Sequence, residues 1–302
     1  MASIEIKIQK FDEVLFESCL FSNVVSVSYG PIVLIEACGT LRVMSCKCIN
    51  GVTGLPSYNH MIRTKAVSRI FFDKISFTDH QTYNRYRKKP SLIFLSDSAI
   101  AKIRSCHFNN IKSSMFEISD VTQFYFTENI FVKCISAINI KIYNLQSLII
   151  ILFSKTKFYK CYSDHSYSAS IAVDIAKLHY YQFSKSSNFA SISISLYQVF
   201  FEACRSDFRT SGLYVSVSLQ SRYIQNNINI SITHCKFVNN TSQRSVGSLK
   251  ILHAQKVSIS YCKFTRNSGQ TGGTINIDTT KFVTFTGNIF VSNKKGSSLH
   301  IN

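Results

Sequence analysis

Apolar and polar residues alternate along this chain in short runs that recur at a nearly constant spacing. The recurring frame reads apolar, x, apolar, x, x, Cys or a small residue, x, Phe, x, x, Asn or Cys. In three successive copies, Phe237, Phe264 and Phe290 lie twenty-seven and twenty-six residues apart. Because alternation with a period of two is typical of strands, each copy predicts two short strands joined by a bend.

The frame fits ten times along the chain, and a weaker eleventh copy is Leu178, Tyr181, Phe183. A further apolar pair precedes several copies and predicts a third strand, as with Ile35 ahead of Leu41. Repeats of this size cannot close a core alone and must stack on their neighbours. The Phe position of the ten copies is occupied by Phe21, Cys48, Phe77, Phe108, Phe131, Phe158, Phe201, Phe237, Phe264 and Phe290.

The stacked frame predicts one all-β domain over residues 1–302, a single right-handed parallel β-helix solenoid of about ten to eleven coils. The right hand follows from the general preference of parallel crossovers. At a strand spacing of about 4.8 Å the rod is roughly 50 Å long. The phenylalanines are expected to form one internal ladder. Apolar residues at both ends of the chain are typical of a fragment of a longer solenoid, since solenoids need polar caps.

Cysteine and asparagine occupy fixed places in the frame. Five of the ten cysteines share one position and predict an inward column of reduced thiols that pack as small apolar groups: Cys19, Cys46, Cys106, Cys235 and Cys262. Asn240, Asn267 and Asn293 each follow a frame Phe by three residues. Such residues suit a tight corner, because Asn tolerates left-handed backbone and its amide can bond to backbone or to a stacked copy.

The Phe-x-x-Asn copies, with Gly272-Gly273-Thr274-Ile275 between the last two, resemble the paired repeats of polymorphic outer membrane protein (Pmp)-like passenger domains. Those domains belong to the right-handed β-helix, pectate-lyase-like superfamily. Thr274 replaces the usual Ala, and upstream copies keep the Phe while the Asn becomes Cys134, Cys161 or Cys204. The resemblance implies an adhesin-like surface solenoid at the cell surface or outside the cell, although no signal peptide or anchor is visible in the sequence.

The chain is strongly basic, with 34 Lys and Arg against 16 Asp and Glu and a formal charge of +18. The residue before the frame Phe points outward, so stacking predicts a basic stripe that includes Lys157, Lys236 and Lys263. A second cluster lies in a loop with the sequence Tyr83-Asn84-Arg85-Tyr86-Arg87-Lys88-Lys89. The candidate anion-binding residues are therefore Arg85, Arg87, Lys88, Lys89, Lys157, Lys236 and Lys263; a solvated basic surface is the simpler alternative.

Residues for catalysis, cofactors or metals form no recognisable pattern. The sixteen carboxylates are spread thinly, no Cys-x-x-Cys or Gly-rich phosphate loop occurs, and no apolar run is long enough for a membrane helix. We therefore expect a non-enzymatic adhesin-like or structural protein whose partner is a polyanionic glycan or a host or cell-surface protein. The alternative is a carbohydrate-active enzyme, either a polysaccharide lyase or a glycoside hydrolase, which carboxylates on adjacent coils would favour. Specific nucleic-acid binding is the less expected alternative; a continuous Lys/Arg face with exposed Tyr would favour it.

Overall fold

The computed structural model describes residues 6–26, 33–53, 60–82, 91–143, 148–163, 168–175, 191–208, 210–217, 227–271, 273–294 and 299–301. These residues form strands and no α-helix, and the strands build three long parallel sheets whose strands are in register, with one register shift between Ser114 and Phe116. The prediction of a single parallel β-helix solenoid is confirmed. The handedness of the coil stays a prediction. No helix that could cross a membrane occurs in the described part of the chain.

Sheet 1 comes from the apolar pair that precedes each frame. Its strands, in order along the rod, are β1 (Ile6–Gln9), β5 (Val33–Glu36), β9 (Ile62–Lys65), β13 (Ser91–Ser96), β16 (Ser114–Ser119), β19 (Ile135–Ile142), β23 (Ile171–Ile175), β27 (Leu213–Val217), β31 (Leu249–Leu252), β35 (Ile275–Asp278) and β38 (Leu299–Ile301).

Sheet 2 comes from the first two apolar positions of the frame. Its strands are β2 (Glu13–Glu17), β6 (Thr40–Met44), β10 (Arg69–Asp73), β14 (Ile100–Arg104), β17 (Gln123–Thr127), β20 (Ile149–Ser154), β24 (Ile192–Tyr197), β28 (Ile228–Thr233), β32 (Lys256–Ser260) and β36 (Phe282–Thr286).

Sheet 3 is centred on the frame Phe and has three residues per strand. Its strands are β3 (Leu20–Ser22), β7 (Lys47–Ile49), β11 (Ser76–Thr78), β15 (His107–Asn109), β18 (Ile130–Val132), β21 (Lys157–Tyr159), β25 (Phe200–Glu202), β29 (Lys236–Val238), β33 (Lys263–Thr265) and β37 (Ile289–Val291). Two-residue strands follow sheet 3 in many coils: β4 (Val25–Ser26), β8 (Val52–Thr53), β12 (Gln81–Thr82), β22 (Tyr162–Ser163), β26 (Arg205–Ser206), β30 (Thr241–Ser242) and β34 (Ser268–Gly269).

We number the coils 1 to 10 by their strands in sheets 2 and 3, which agrees with the ten clear copies of the frame. The weaker eleventh copy, Leu178 to Phe183, lies outside the described residues. The strands that flank it, β20 and β24, pair directly with Ile151 opposite Ile194. Coils 6 and 7 are therefore immediate neighbours in sheet 2, and in sheet 3 as well.

The predicted phenylalanine ladder is confirmed. From Phe77 to Phe290 the eight frame phenylalanines stack with ring centroids 4.7 to 5.6 Å apart. Phe237 and Phe264, for example, are 4.8 Å apart with ring planes 6° from parallel. Each buried ring contributes roughly 1.5 to 3 kcal/mol by leaving water, so this ladder is a main source of stability along the rod.

Each bend between sheets 2 and 3 places one residue in the left-handed backbone region, and each bend after sheet 3 places another there. At the second bend these residues include Asn239, Arg266 and Ser292, with φ from 52° to 53°. The expectation that the following asparagines adopt this conformation is wrong. Asn240 and Asn267 point inward and are fully buried, because the bend turns their side chains toward the core.

The buried asparagines join successive coils through their amides. Nδ2 of Asn267 donates to the Phe237 carbonyl at 2.9 Å, and Oδ1 of Asn267 accepts from the Asn240 backbone N–H at 3.0 Å. Nδ2 of Asn267 also donates to Oδ1 of Asn293 at 3.2 Å, so bonding from amide to amide along the rod is confirmed for this pair. The cysteines are all free, and nine of the ten are buried.

Candidate functional site

The alternation of the strands sends one set of side chains out of sheets 2 and 3, and this surface concentrates positive charge. We define the basic face as the outward residues of these two sheets in coils 2 to 10, together with the single left-handed residue after each strand. Four carboxylates lie on it: Asp73, Asp79, Glu128 and Glu202. Fourteen exposed basic side chains lie on it: Arg42, Lys47, Arg69, Lys74, Lys102, Arg104, Lys133, Lys155, Lys157, Lys160, Lys236, Lys256, Lys263 and Arg266.

Sheet 1 has no comparable excess. The outward residues of its strands include five basic side chains, Lys7, Arg63, Lys65, Lys141 and Lys250, and four acidic ones, Glu36, Glu117, Asp174 and Asp278. The charge of the described rod is therefore strongly asymmetric. A surface with one dominant sign of charge attracts partners of the opposite sign over about a Debye length, roughly 8 Å at physiological salt.

Four of the fourteen cations form ion pairs. Arg42 meets Glu13 at 2.7 Å, Lys157 meets Glu202 at 3.5 Å, and Arg104 and Lys155 each approach Glu128 at 3.9 Å. The other ten make no ion pair within 4.0 Å in the described part of the chain. Ten unpaired charges on one surface repel one another, and an anionic partner relieves that repulsion.

The predicted stripe residues lie in one register column of sheet 3, but not as a continuous row of lysines. Lys236 and Lys263 are direct neighbours on β29 and β33. Lys157 is separated from them by Phe200, and its ammonium is paired with Glu202. The structure therefore places Lys236 and Lys263 side by side, whereas Lys157 is apart from them and ion-paired with Glu202. The predicted loop cluster, Arg85, Arg87, Lys88 and Lys89, lies outside the described residues.

Aromatic side chains flank the Lys236–Lys263 pair at the corner between sheets 2 and 3. His234 stacks on Tyr261 at 5.2 Å, and Tyr197 meets His234 edge to face at 5.8 Å. Tyr197 and Tyr261 remain 43% and 58% exposed, although His234 stacks on the Tyr261 ring. The Lys236 ammonium lies 4.9 Å from the Phe200 ring, which holds its charge beside the exposed tyrosines.

Beside this corner, the outward side of sheet 2 carries short hydroxyl and amide side chains over coils 7 to 10. These side chains are Ser193, Ser195, Asn229, Ser231, Thr233, Ser258, Ser260, Thr284 and Thr286. Hydroxyls and amides can both donate and accept hydrogen bonds. Cations, exposed aromatic rings and polar side chains thus occur together on one side of the rod.

A second basic and aromatic column was not predicted. It runs along the outside of sheet 2 through Arg42, Phe71, Lys102 and Tyr125, which are aligned on adjacent strands. The Arg42 guanidinium lies 4.9 Å from the Phe71 ring, and the Lys102 ammonium lies 5.7 Å from the Tyr125 ring. The signal was present in the sequence, because each of these residues stands between the two apolar positions of its frame.

Two carboxylates of sheet 1 flank Lys141 from the strands on either side of β19, and the strand that carries Lys141 separates them. Glu117 on β16 is bound to Lys141 on β19 at 2.5 Å, and Asp174 lies beside Lys141 in the register of β23. Asp120 accepts from the Tyr143 backbone N–H at 2.8 Å. Burial is the main cause of a raised pKa of the Tyr143 phenol. Because Glu117 is ion-paired with Lys141, these groups do not form a pair of free carboxylates. The enzyme alternative stays a prediction.

No group of three or more His, Cys, Asp or Glu side chains suited to a metal ion occurs in the described ranges. The chain matches no family model, no curated protein and no solved structure. The resemblance to Pmp-like passenger domains is therefore not supported by any match, and what is shown of it is the parallel β-helix architecture alone.

Proposed function

We propose that this protein is a non-enzymatic binding protein whose basic face holds a polyanionic glycan. The observation that carries this proposal is the set of ten Lys and Arg side chains on one face that make no ion pair within the described residues, whereas sheet 1 is nearly neutral. Exposed Tyr197 and Tyr261 offer flat apolar surfaces for sugar rings, and the neighbouring Ser, Thr and Asn side chains offer partners for sugar hydroxyls. The resemblance to Pmp-like passenger domains agrees with such an adhesin-like role.

The test is a binding measurement with immobilised sulfated glycan and its unsulfated counterpart at about 50 mM and about 200 mM salt. We expect retention on the sulfated glycan only, and weaker retention at the higher salt because exposed charges are screened. Lys236→Glu combined with Lys263→Glu is expected to weaken binding at least tenfold. The matched control is Lys7→Glu with Lys65→Glu, which makes the same charge change on sheet 1 and is expected to have little effect.

Absence of binding to the sulfated glycan at the lower salt overturns the proposal, and so does an equal loss in the control. The length of the recovered glycan tests the enzyme alternative, since a lyase or hydrolase shortens the chain.

Nucleic acid is the second candidate ligand, because Tyr197 and Tyr261 stand exposed beside Lys236 and Lys263. Exposed aromatic rings beside cations are the usual means of holding single-stranded nucleic acid by stacking. The test is a competition experiment in which a single-stranded oligonucleotide or free sulfated glycan displaces the bound sulfated glycan. Displacement by the oligonucleotide at the lower concentration would favour nucleic acid over glycan as the ligand.

A further inference from the structure

The unpaired cations of the basic face are unevenly distributed: among the described residues, four lie in coils 2 to 4, two in coils 5 to 7 and four in coils 8 and 9. The N-terminal patch consists of Arg69, Phe71 and Lys102 on β10 and β14, with Arg42 on β6. The C-terminal patch consists of Tyr197, Lys236, Tyr261 and Lys263, on and beside β24, β29 and β33. Each patch combines cations with aromatic rings, and in the coils between them carboxylates pair with part of the positive charge.

Between the patches, Glu128 of coil 5 and Glu202 of coil 7 pair with nearby cations, whereas Lys133 and Lys160 make no ion pair within the described residues. Glu128 lies 3.9 Å from both Arg104 and Lys155, and Glu202 lies 3.5 Å from Lys157. Coil 7 carries no Lys or Arg on the basic face. An anion that follows the face from one patch to the other therefore meets half as many unpaired cations in coils 5 to 7 as in coils 2 to 4 or in coils 8 and 9.

The N-terminal patch places cations beside aromatic rings, as the C-terminal patch does. The Lys102 ammonium is 5.9 Å from the Phe71 ring on one side and 5.7 Å from the Tyr125 ring on the other. Arg69 lies two residues before Phe71 on the same outward side of β10 and makes no ion pair within the described residues. The patch thus presents free cations beside partly exposed rings, which is the chemistry of the C-terminal patch on a different part of the rod.

The spacing between the patches is fixed by the coil stack. Four coil steps separate Lys102 from Lys236, about 19 Å along the rod at the spacing of parallel strands, and seven steps separate Arg42 from Lys263, about 34 Å. Both distances exceed the Debye length of about 8 Å at physiological salt. A short anionic ligand bound at one patch therefore gains nothing from the other.

We infer that the two patches act as two anion-binding sites for one linear polyanionic glycan that lies along the rod axis. This inference rests on the proposed function and adds the form of the ligand, a long chain in place of a terminal sugar. Once one patch is occupied, binding at the second becomes intramolecular, so a chain that spans both gains affinity by roughly 10² to 10⁴ without new contacts.

The experiment compares two sulfated oligosaccharides by calorimetry, one with an extended length of about 15 Å and one of about 45 Å, chosen against the patch spacing. We expect the short probe to bind weakly with two equivalents per chain. The long probe is expected to bind one equivalent with a Kd at least tenfold lower.

Two pairs of substitutions separate the patches, Arg69→Ser with Lys102→Ser and Lys236→Ser with Lys263→Ser. Each pair is expected to reduce the stoichiometry of the short probe to one while its Kd stays unchanged, and to raise the Kd of the long probe at least tenfold. All four side chains are exposed, so the fold is expected to persist, and circular dichroism checks this. Lys7→Ser with Lys65→Ser is the control on sheet 1.

Equal Kd values for the two probes overturn the inference but leave the proposed function standing. An effect on the long probe from only one of the two patch variants has the same meaning. Failure of both probes to bind at low salt overturns the proposed function itself.

Discussion

Two inward positions hold cysteine or asparagine in several coils, and the hydrogen bonds explain why these two residues can replace each other. At the bend after sheet 2, an inward side chain donates a hydrogen bond to a backbone carbonyl of the preceding coil. Asn288 supplies it through Nδ2 to the Ile259 carbonyl at 2.7 Å, and Cys262 supplies it through Sγ to the Ile232 carbonyl at 3.5 Å. Burial raises the pKa of Cys106 at the equivalent position to about 12, which keeps that thiol protonated and able to donate.

Replacement of Cys262 tests this equivalence. Cys262→Asn is expected to be at least as stable as the natural chain, because an amide can donate to the Ile232 carbonyl and accept from the Cys235 N–H that now meets Sγ. Cys262→Val keeps the apolar volume but removes the partner of the Cys235 N–H, at a cost of about 1 to 3 kcal/mol. Denaturant unfolding of the two variants measures the difference. A valine variant as stable as the asparagine variant would show that the thiol only fills space.

His80 occupies the same inward position as Asn240 but titrates. It is 2% exposed, its Nε2 has no hydrogen-bond partner among the described residues, and burial lowers its pKa from the usual 6.5 to about 4. The ring takes the space where a side chain on Gly51 would lie, which fixes glycine there. Since the unfolded chain binds a proton more readily, the stability contributed by neutral His80 is complete above about pH 6.5 and is lost as the pH falls toward 4.

We expect the free energy of unfolding to fall by up to about 3 kcal/mol between pH 6.5 and 4 through His80. His80→Asn is expected to remove most of this fall, because an amide at this position does not titrate. His107→Asn is the matched control, since His107 is exposed on β15. An unchanged pH profile in the His80 variant, measured by denaturant unfolding at several pH values, contradicts the assignment.

At the level of the strands, the frame predicted the features that depend on residue spacing within one copy. It missed the features that depend on the backbone conformation of the bends. The Phe ladder and the thiol column followed from offsets within one copy. The inward turn of Asn240 did not follow from those offsets. The residue in the left-handed backbone region is the preceding Asn239, and two adjacent asparagines give no sign of which one adopts that conformation. The alignment of Arg42 with Lys102 depends on the register across several strands, so the frame had to be extended to the outward positions to reveal it.

The ladder predicts where substitutions cost most. Phe158 stacks 4.8 Å from Phe131 and 5.2 Å from Phe201, so Phe158→Ala removes contacts on both sides and is expected to cost about 3 to 5 kcal/mol. Phe282→Ala is the control, because that ring is outward and 55% exposed. Hydrogen exchange is expected to show the loss of protection centred on coils 5 to 7 for Phe158→Ala. Equal costs for the two variants would argue against the ladder as a source of stability.

Over the whole rod, stacking converts a basic composition into a basic surface. The total charge was evident in the sequence, but its division between faces depends on the side of each strand from which a cation projects. Lys7 and Lys65 lie on sheet 1, whereas Lys102, Lys236 and Lys263 lie on the basic face. Proximity also decides which charges are available, since Glu202 pairs with Lys157 only because β21 and β25 are adjacent.

Lysine acetylation read by mass spectrometry, with and without a long sulfated glycan, tests the central claim most directly. The basic-face account predicts that the glycan slows acetylation of Lys102, Lys236 and Lys263 severalfold and leaves Lys7 and Lys65 unchanged. Equal protection on both faces, or protection confined to sheet 1, would contradict it.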